Sequence, residues 1–158
     1  MASFYDGMST SSSDSETKRD TLEDFSYGNI HTIPDSILTR AHALHSLQLD
    51  NNNITSLPSC IGEFKKLITL DISANNMVLI CDEITQLTKL RTFVSKNNKL
   101  TNLPKDFGLL QSLEVVNVSG NYLDTFPPQL TELTRLKVLQ FGGNRLKQLP
   151  STIKQLLW

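Results

Sequence analysis

Apolar and polar positions recur along most of the chain with a 23-residue period. In the first complete copy, three leucines precede an asparagine and an isoleucine follows it, at Leu44, Leu47, Leu49, Asn52 and Ile54. The same frame surrounds every member of an asparagine ladder, which consists of Asn52, Asn75, Asn98, Asn121 and Asn144. A repeat of this length predicts a solenoid of stacked units, and a solenoid favours a binding role over an enzymatic one.

Each unit contains two hydrophobic spacings, and the difference between them predicts its elements. Leu47 and Leu49 are two residues apart, as in a strand with one buried face. Ile61, Phe64 and Leu67 are three apart, as in a helical or 3₁₀ turn with one buried stripe. Stacked units would therefore align about six strands in one parallel sheet. Because strands pack more closely than the bulkier returns, we expect the sheet to line the concave side.

The asparagine in each unit has a structural role in this arrangement. A sharp turn after the strand leaves backbone groups inside, and an amide side chain offers them both donors and an acceptor. A buried polar group without a partner costs about 1–3 kcal/mol. The sequence therefore predicts that Asn98→Ala, in the middle of the array, is more destabilising than Asn144→Ala near its end.

Three places depart from the frame. Ser95 takes a core strand position, where we expect it either to loosen the third copy or to hydrogen bond to the backbone. Ile80-Cys81 replaces the Leu-Pro pair that opens other returns. Residues 25–34 look like a degenerate repeat, and Ile33-Pro34 precedes Leu57-Pro58 by one position more than the period, so this unit is one residue longer.

The chain divides into three parts. Residues 1–21 form a serine-rich tail that has little to bury and is predicted to be disordered. Ser11 and Ser13 each have an acidic residue three positions on, which suits an acidophilic kinase; a solvated tail without a regulated site is the alternative. Residues 22–43 form a degenerate N-terminal capping repeat. Residues 44–158 form five repeats without an evident C-terminal cap.

The predicted C-terminal edge is apolar. Pro150, Ile153 and Leu156 begin a return, and the sequence stops at Trp158, where the next strand would start. Terminal repeats normally present a polar outer face. An open edge therefore predicts a truncated product, a fragment, or a covering partner, which could be a second copy of the chain.

Composition narrows the class of protein. The 158 residues carry a net charge of −1, which provides no global field for nucleic acid or an anionic membrane. No stretch approaches the roughly 20 apolar residues of a membrane span. Cys60 and Cys81 are interpreted as free thiols in a reducing compartment, so we expect a cytoplasmic protein.

No residues combine into a catalytic, cofactor-binding or metal-binding set. Asp106-Phe107-Gly108 spells a kinase metal-binding tripeptide, but the rest of that signature is absent and Phe107 falls at a core position. His42 and His45 are three residues apart, yet no cysteine or carboxylate completes a metal site. Gly142-Gly143 opens no phosphate-binding motif. The sequence therefore predicts a non-enzymatic protein without a cofactor.

The frame Leu-x-x-Leu-x-Leu-x-x-Asn-x-Leu resembles the leucine-rich repeat signature over about residues 25–158. The 23-residue length and the Leu-Pro-x-x-Ile return resemble the intracellular class seen in Ras-pathway scaffolds, Ras-suppressor-like proteins and scribble-type polarity proteins. The resemblance implies an α/β fold, a right-handed solenoid with a concave parallel sheet and short helical or 3₁₀ returns on the convex side. It also implies a protein partner, such as a small GTPase or another signalling protein.

The outward positions of the predicted sheet give the candidate site. They are acidic or polar toward the N-terminal end, at Asp50 and Asp71. Toward the C-terminal end they are basic with an aromatic side chain, and the partner-binding candidates are Val94, Lys96, Lys99, Tyr122 and Arg145. Tyrosine and arginine are favoured at hot spots, and an acidic partner surface would complement this patch. The alternative is an ordinary solvated sheet face with binding elsewhere.

These patterns predict a protein–protein interaction scaffold in intracellular signalling. The alternative function is the repeat region of a larger signalling enzyme, such as a Ser/Thr phosphatase, kinase or cyclase, of which this chain is a fragment. Nucleic-acid binding is disfavoured because basic residues are few and no stacking ladder exists.

Overall fold

A computed structural model describes residues 21–149 and residue 151. These residues form one six-stranded parallel sheet in which the strand order follows the chain. The strands are β1 (Leu22–Asp24), β2 (Ser46–Gln48), β3 (Thr69–Asp71), β4 (Thr92–Val94), β5 (Val115–Asn117) and β6 (Val138–Gln140). The predicted solenoid with a parallel sheet of six strands is therefore confirmed.

The returns between the strands are 3₁₀ helices. They span Asp35–Arg40, Ser59–Glu63, Asp82–Gln86, Phe107–Leu109 and Pro128–Glu132. Pro58 precedes its return with φ −72° and ψ 155°, and Cys81 precedes the next with φ −69° and ψ 152°. The exchange of proline for cysteine in the second return therefore leaves the backbone path unchanged.

The register between strands repeats the sequence period. From β2 to β6 each residue pairs with its equivalent in the next repeat, so Leu47 lies opposite Leu70 and Leu70 opposite Phe93. Between β1 and β2 the offset is one residue greater, as in the pair Leu22 and Ser46. This agrees with a first unit that is one residue longer. Because the offset is otherwise constant, each position of the repeat forms a row of side chains along the array.

The core is one continuous hydrophobic cluster that joins the strand and return stripes. Leu47, Leu70 and Phe93 from the strands and Ile61 and Phe107 from the returns are all fully buried within it. The Phe93 and Phe107 rings meet edge to face, with centroids 5.4 Å apart. Burying a side chain of this kind contributes about 1.5–3 kcal/mol. Each stripe therefore depends on the other, and each unit on its neighbours.

Ser95 is fully buried at a strand-core position. Its backbone N–H donates to the Asn117 carbonyl at 2.8 Å, and its carbonyl accepts from Asn121 Nδ2 at 2.9 Å. Its hydroxyl has no hydrogen-bond partner among the described residues. Of the two expectations for Ser95, the hydrogen bond from its side chain to the backbone is therefore wrong, and the loosening of the third copy stays a prediction.

The first unit differs from the others at two positions. Glu23 pairs in register with Leu47, so a carboxylate occupies a row that is apolar elsewhere, and it forms an ion pair with Arg40. Gly28 precedes Asn52 by the same offset that separates β1 from β2, so it stands where the first unit would have its own ladder asparagine. These two positions therefore depart from the repeat frame, while the strand pairing of the unit is retained.

Several predicted features lie outside the described residues. They are the serine-rich tail with Ser11 and Ser13, and the terminal return with Pro150, Ile153, Leu156 and Trp158. Within the described part of the chain, no helix has the length and apolar character needed to cross a membrane.

Candidate protein-binding face

The ladder asparagines lie in the turns after the strands, and each side chain bonds to two consecutive units. Asn75 is representative. Its Oδ1 accepts from the N–H of Ile54 in the preceding unit at 2.8 Å. Its Nδ2 donates to the carbonyls of Leu49 in the preceding unit, at 2.8 Å, and of Ile72 in its own unit, at 3.1 Å. The amide therefore satisfies turn groups that would otherwise be buried without partners.

The residue before each ladder asparagine has a left-handed backbone. The φ angle is 55° at Asn51, 49° at Ala74 and 55° at Asn97, and it is 66° at Gly120 and 69° at Gly143. Glycine adopts this conformation freely, whereas for a residue with a Cβ atom the conformation is unfavourable by about 1–2 kcal/mol. Because the same turn recurs in all five units, the residues that follow the ladder asparagines form a further row along the array.

We define the sheet face as the outward side of β1–β6, together with the exposed residues directly before each strand and up to five positions after it. The predicted partner-binding residues belong to the units of β4–β6, at one end of this face. Val94 in β4 is half-buried, and Lys96 and Lys99 after it are exposed. Tyr122 and Arg145 occupy the same row as Lys99, one and two units further along. All five therefore lie in three successive units, and the contact that the structure records among their side chains is that of Tyr122 with Arg145.

Tyr122 and Arg145 are in direct contact. The guanidinium carbon of Arg145 lies 3.8 Å from the centroid of the Tyr122 ring, and Tyr122 remains 40% exposed. A cation–π contact of this kind is worth about 0.5–1 kcal/mol at an exposed site. Within residues 21–149, Lys96, Lys99 and Arg145 form no ion pair. Their charges are therefore available to a partner, and the stacked pair loses less freedom on binding.

A second row of charges, which the sequence analysis did not single out, precedes the strands. Glu114 Oε2 accepts from Lys137 Nζ at 2.7 Å, and Arg91 Nη1 lies 3.8 Å from Glu114 Oε1. The hydrogen bond from Lys137, then its charge, lowers the pKa of Glu114. This row could have been predicted from the sequence, because Arg91, Glu114 and Lys137 place alternating charges at equivalent positions of successive repeats. This row is largely neutralised within itself, unlike the row of Lys99, Tyr122 and Arg145.

The β1–β3 end of the face carries carboxylates. Asp24 and Asp71 each end a strand and accept from the N–H two residues later, Ser26 at 2.9 Å and Ser73 at 2.8 Å. Asp50 accepts from the Ser26 hydroxyl at 2.5 Å. Hydrogen bonding to Ser26 lowers the pKa of Asp24. These aspartates therefore combine a turn-forming role with negative charge on the surface.

Among the described residues, no group of three or more His, Cys, Asp and Glu side chains could hold a metal ion. Cys60 and Cys81 are free thiols, and partial burial raises the pKa of both, which reduces their thiolate fraction. Phe107 of the kinase-like tripeptide is a core residue.

Comparison with known sequences shows where the repeats are most regular. The Leucine Rich Repeat family model matches residues 43–64 and 112–133. A stretch of 53 residues is 43% identical to Leucine-rich repeat-containing protein 58 of Xenopus laevis, and a stretch of the same length is 44% identical to that protein of Xenopus tropicalis. The matched stretch is 34% of this chain and only 15% of the length of each relative.

Solved structures cover nearly the whole chain. The crystal structure of a TDR receptor superposes with a TM-score of 0.76 and 30% identity, over 91% of this chain and 26% of that one. A leucine-rich repeat protein of Leptospira interrogans superposes with a TM-score of 0.57 and 23% identity, over 91% of this chain and 55% of that one, and shows the fold alone. The asparagine ladder, the constant register and these matches show that the chain folds as a leucine-rich repeat solenoid.

Proposed function

We propose that this chain is a protein-interaction module that binds its partner on the β4–β6 end of the sheet face and performs no catalysis. Leucine-rich repeats typically form protein-binding modules. The observation that supports this site is the grouping of unpaired Lys96 and Lys99 with the stacked pair of Tyr122 and Arg145, beside half-buried Val94. Aromatic and arginine side chains dominate the energetics of protein interfaces.

We also propose a cytoplasmic location and a role in signalling. The free thiols of Cys60 and Cys81 support a reducing compartment. The 23-residue unit supports the likeness to Ras-pathway repeats, for which a small GTPase or another signalling protein is the candidate partner. The exposed cations suit the acidic surface of such a partner.

The site is tested by replacing Lys96, Lys99, Tyr122 and Arg145 together with alanine. Affinity purification from cytosolic extract, followed by quantitative mass spectrometry, should recover proteins with the wild-type chain that the variant loses. The melting temperature should change little, since all four side chains are exposed. Equal recovery with both chains would overturn the assignment.

A matched control has equal size on a different surface. Lys66, Lys89, Lys105 and Leu109 are exposed and lie outside the sheet face, in or beside the returns. Their joint replacement with alanine removes three cations and one large apolar side chain. We expect this control to keep every protein that the wild-type chain recovers.

The second proposal is that these repeats belong to a larger signalling enzyme. The matched stretch is only 15% of the length of each relative, so repeats like these do occur within longer proteins. The coding sequence beyond Trp158 distinguishes the two proposals. A catalytic domain in the same frame supports the enzyme, whereas an immediate stop codon defeats it.

A further inference from the structure

Charged side chains on the sheet face are segregated along the array. The units of β1–β3 present three aspartates there and no lysine or arginine, namely Asp24, Asp50 and Asp71. The units of β4–β6 present one glutamate, Glu114, and five cations, namely Arg91, Lys96, Lys99, Lys137 and Arg145. The whole chain has a net charge of −1, so this separation is a property of the face and not of the composition.

The cationic half also has an apolar centre. Val115 and Val138 pair directly in register between β5 and β6, and Val138 is 42% exposed. The same row holds polar residues in the three preceding strands, at Ser46, Thr69 and Thr92. Val94 lies diagonally beside Val115, since it pairs with Asn117 in the adjoining row. The β1–β3 half also exposes apolar side chains, at Leu22 and Ile68, but the three valines of the β4–β6 half lie beside the cations.

The valines lie between two unequal rows of charge. On one side, Arg91 and Lys137 are both engaged by Glu114. On the other side, Lys96, Lys99 and Arg145 have no ion pair within residues 21–149. A partner thus meets an apolar strip with unsatisfied positive charge along one edge.

We propose that this end of the face recognises an acidic, amphipathic segment of a partner protein. Its apolar side chains would cover Val115 and Val138, while its carboxylates would pair with Lys96, Lys99 and Arg145. This inference rests on the proposed function, because it specifies the partner of the same site. Burying apolar area provides affinity, and the charges select the partner and its orientation.

The aspartates of the other half set the direction of that segment. Parallel strands are about 4.8 Å apart, so β4 to β6 spans about 10 Å. About three extended residues, or about two turns of helix, cover this distance. Continuation of acidic residues over Asp50 and Asp71 would place like charges together. The segment therefore continues over β1–β3 with neutral or basic residues, or leaves the face there.

Synthetic peptides test this specificity on the full chain. Three fluorescent 14-residue helical probes share one template with neutral outer turns. Their two central turns carry, respectively, glutamates beside a leucine stripe, glutamates beside a serine stripe, and lysines beside a leucine stripe. Fluorescence anisotropy at low salt should show the first probe binding about tenfold or more tightly than either of the others. A single-stranded DNA oligonucleotide with the same net charge as the first probe tests whether the site binds any polyanion.

Equal binding of the glutamate–serine probe or of the oligonucleotide would overturn the inference, because the valines would then contribute nothing. The double variant Val115→Thr, Val138→Thr introduces a residue type that the same row already contains at Thr69 and Thr92. It should weaken the binding of the first probe several-fold. Asp71→Asn removes a negative charge and places at this position the residue type of Asn117, whose side chain accepts from the N–H two residues later, as that of Asp71 does. This substitution should tighten the binding of the first probe.

Failure of this inference differs from failure of the proposed function. If the four-alanine variant loses its cellular partner but the glutamate–leucine probe does not bind the wild-type chain, the interaction site is supported and the acidic segment is rejected. If the probe binds and the double threonine variant binds it equally well, the valine contact is rejected. Binding that is unchanged between low and high NaCl concentrations would reject the carboxylate pairing, since exposed ion pairs are screened by salt.

Discussion

The side chain of Asn98 holds the backbone of Met77, which belongs to the unit before it. Asn98 Oδ1 accepts from the Met77 N–H at 3.0 Å, while Asn98 Nδ2 donates to the carbonyl of Ile72 in that same earlier unit at 2.9 Å. A third bond, to the Ser95 carbonyl at 3.3 Å, ties the amide to its own unit. One buried side chain thus supports the turns of two units.

Replacement of this asparagine should destabilise the array more than replacement of the last one. Asn98→Ala leaves several buried backbone groups without partners, so we expect a loss of about 2–4 kcal/mol in unfolding free energy. Asn144 is half-buried, and water can replace its bonds, so Asn144→Ala should cost about 1 kcal/mol. Urea denaturation followed by circular dichroism measures both. An equal loss at the two positions would contradict the burial argument.

Ser95→Ala should stabilise the protein. The substitution removes a buried hydroxyl that has no partner in the described part of the chain, which carries a penalty of about 1–3 kcal/mol, and leaves the backbone bonds of the position intact. We expect a gain of about 1 kcal/mol, since the small void that remains has its own cost. Val118→Ser places the same hydroxyl in the same row one unit later, and should have the opposite sign. A loss of stability in Ser95→Ala would indicate that the hydroxyl has a partner in solution.

Ala74→Gly should also stabilise the fold, although glycine usually destabilises regular structure. Ala74 has φ 49°, a left-handed conformation that costs a residue with a Cβ about 1–2 kcal/mol. Gly120 and Gly143 occupy the same position in later units with similar angles. We expect a net gain of about 0.5–1 kcal/mol after the added entropy of the unfolded chain. Ala41→Gly, at a right-handed position with φ −50°, is the control and should destabilise.

The Glu114 carboxylate should titrate below its usual range because of Lys137. A folded-state pKa below the unfolded value means that the group favours the folded state above the unfolded pKa, and that this contribution is lost as pH falls through the folded pKa. Lys137→Ala should move the pKa of Glu114 upward. Arg91→Ala should move it less, because Arg91 lies 3.8 Å away and Lys137 is hydrogen bonded at 2.7 Å. Carboxyl carbon NMR titration of each variant measures the shift, and a larger effect from Arg91→Ala would contradict this order.

Sequence reasoning predicted the architecture because its signal is periodic. The repeat length in the sequence becomes the offset between paired strands, so the frame assigned Val94, Lys96 and Tyr122 to one face without coordinates. The contact between Tyr122 and Arg145 depends on side-chain rotamers, which periodicity does not encode. The sequence identified Ser95 as a departure but left open whether its hydroxyl is bonded, because that depends on which backbone groups around it are free; among the described residues it has no partner.

Each asparagine of the ladder forms hydrogen bonds to the unit before its own. Each unit therefore contains the side chain that links it to the preceding unit. A duplicated unit would therefore arrive with its own connection, and an array of this kind could lengthen in evolution without new contacts being invented. The surface rows do not share that constraint. Selection can change an outward residue in one copy alone, which is how valines, lysines and a tyrosine could gather at one end of an otherwise uniform ladder.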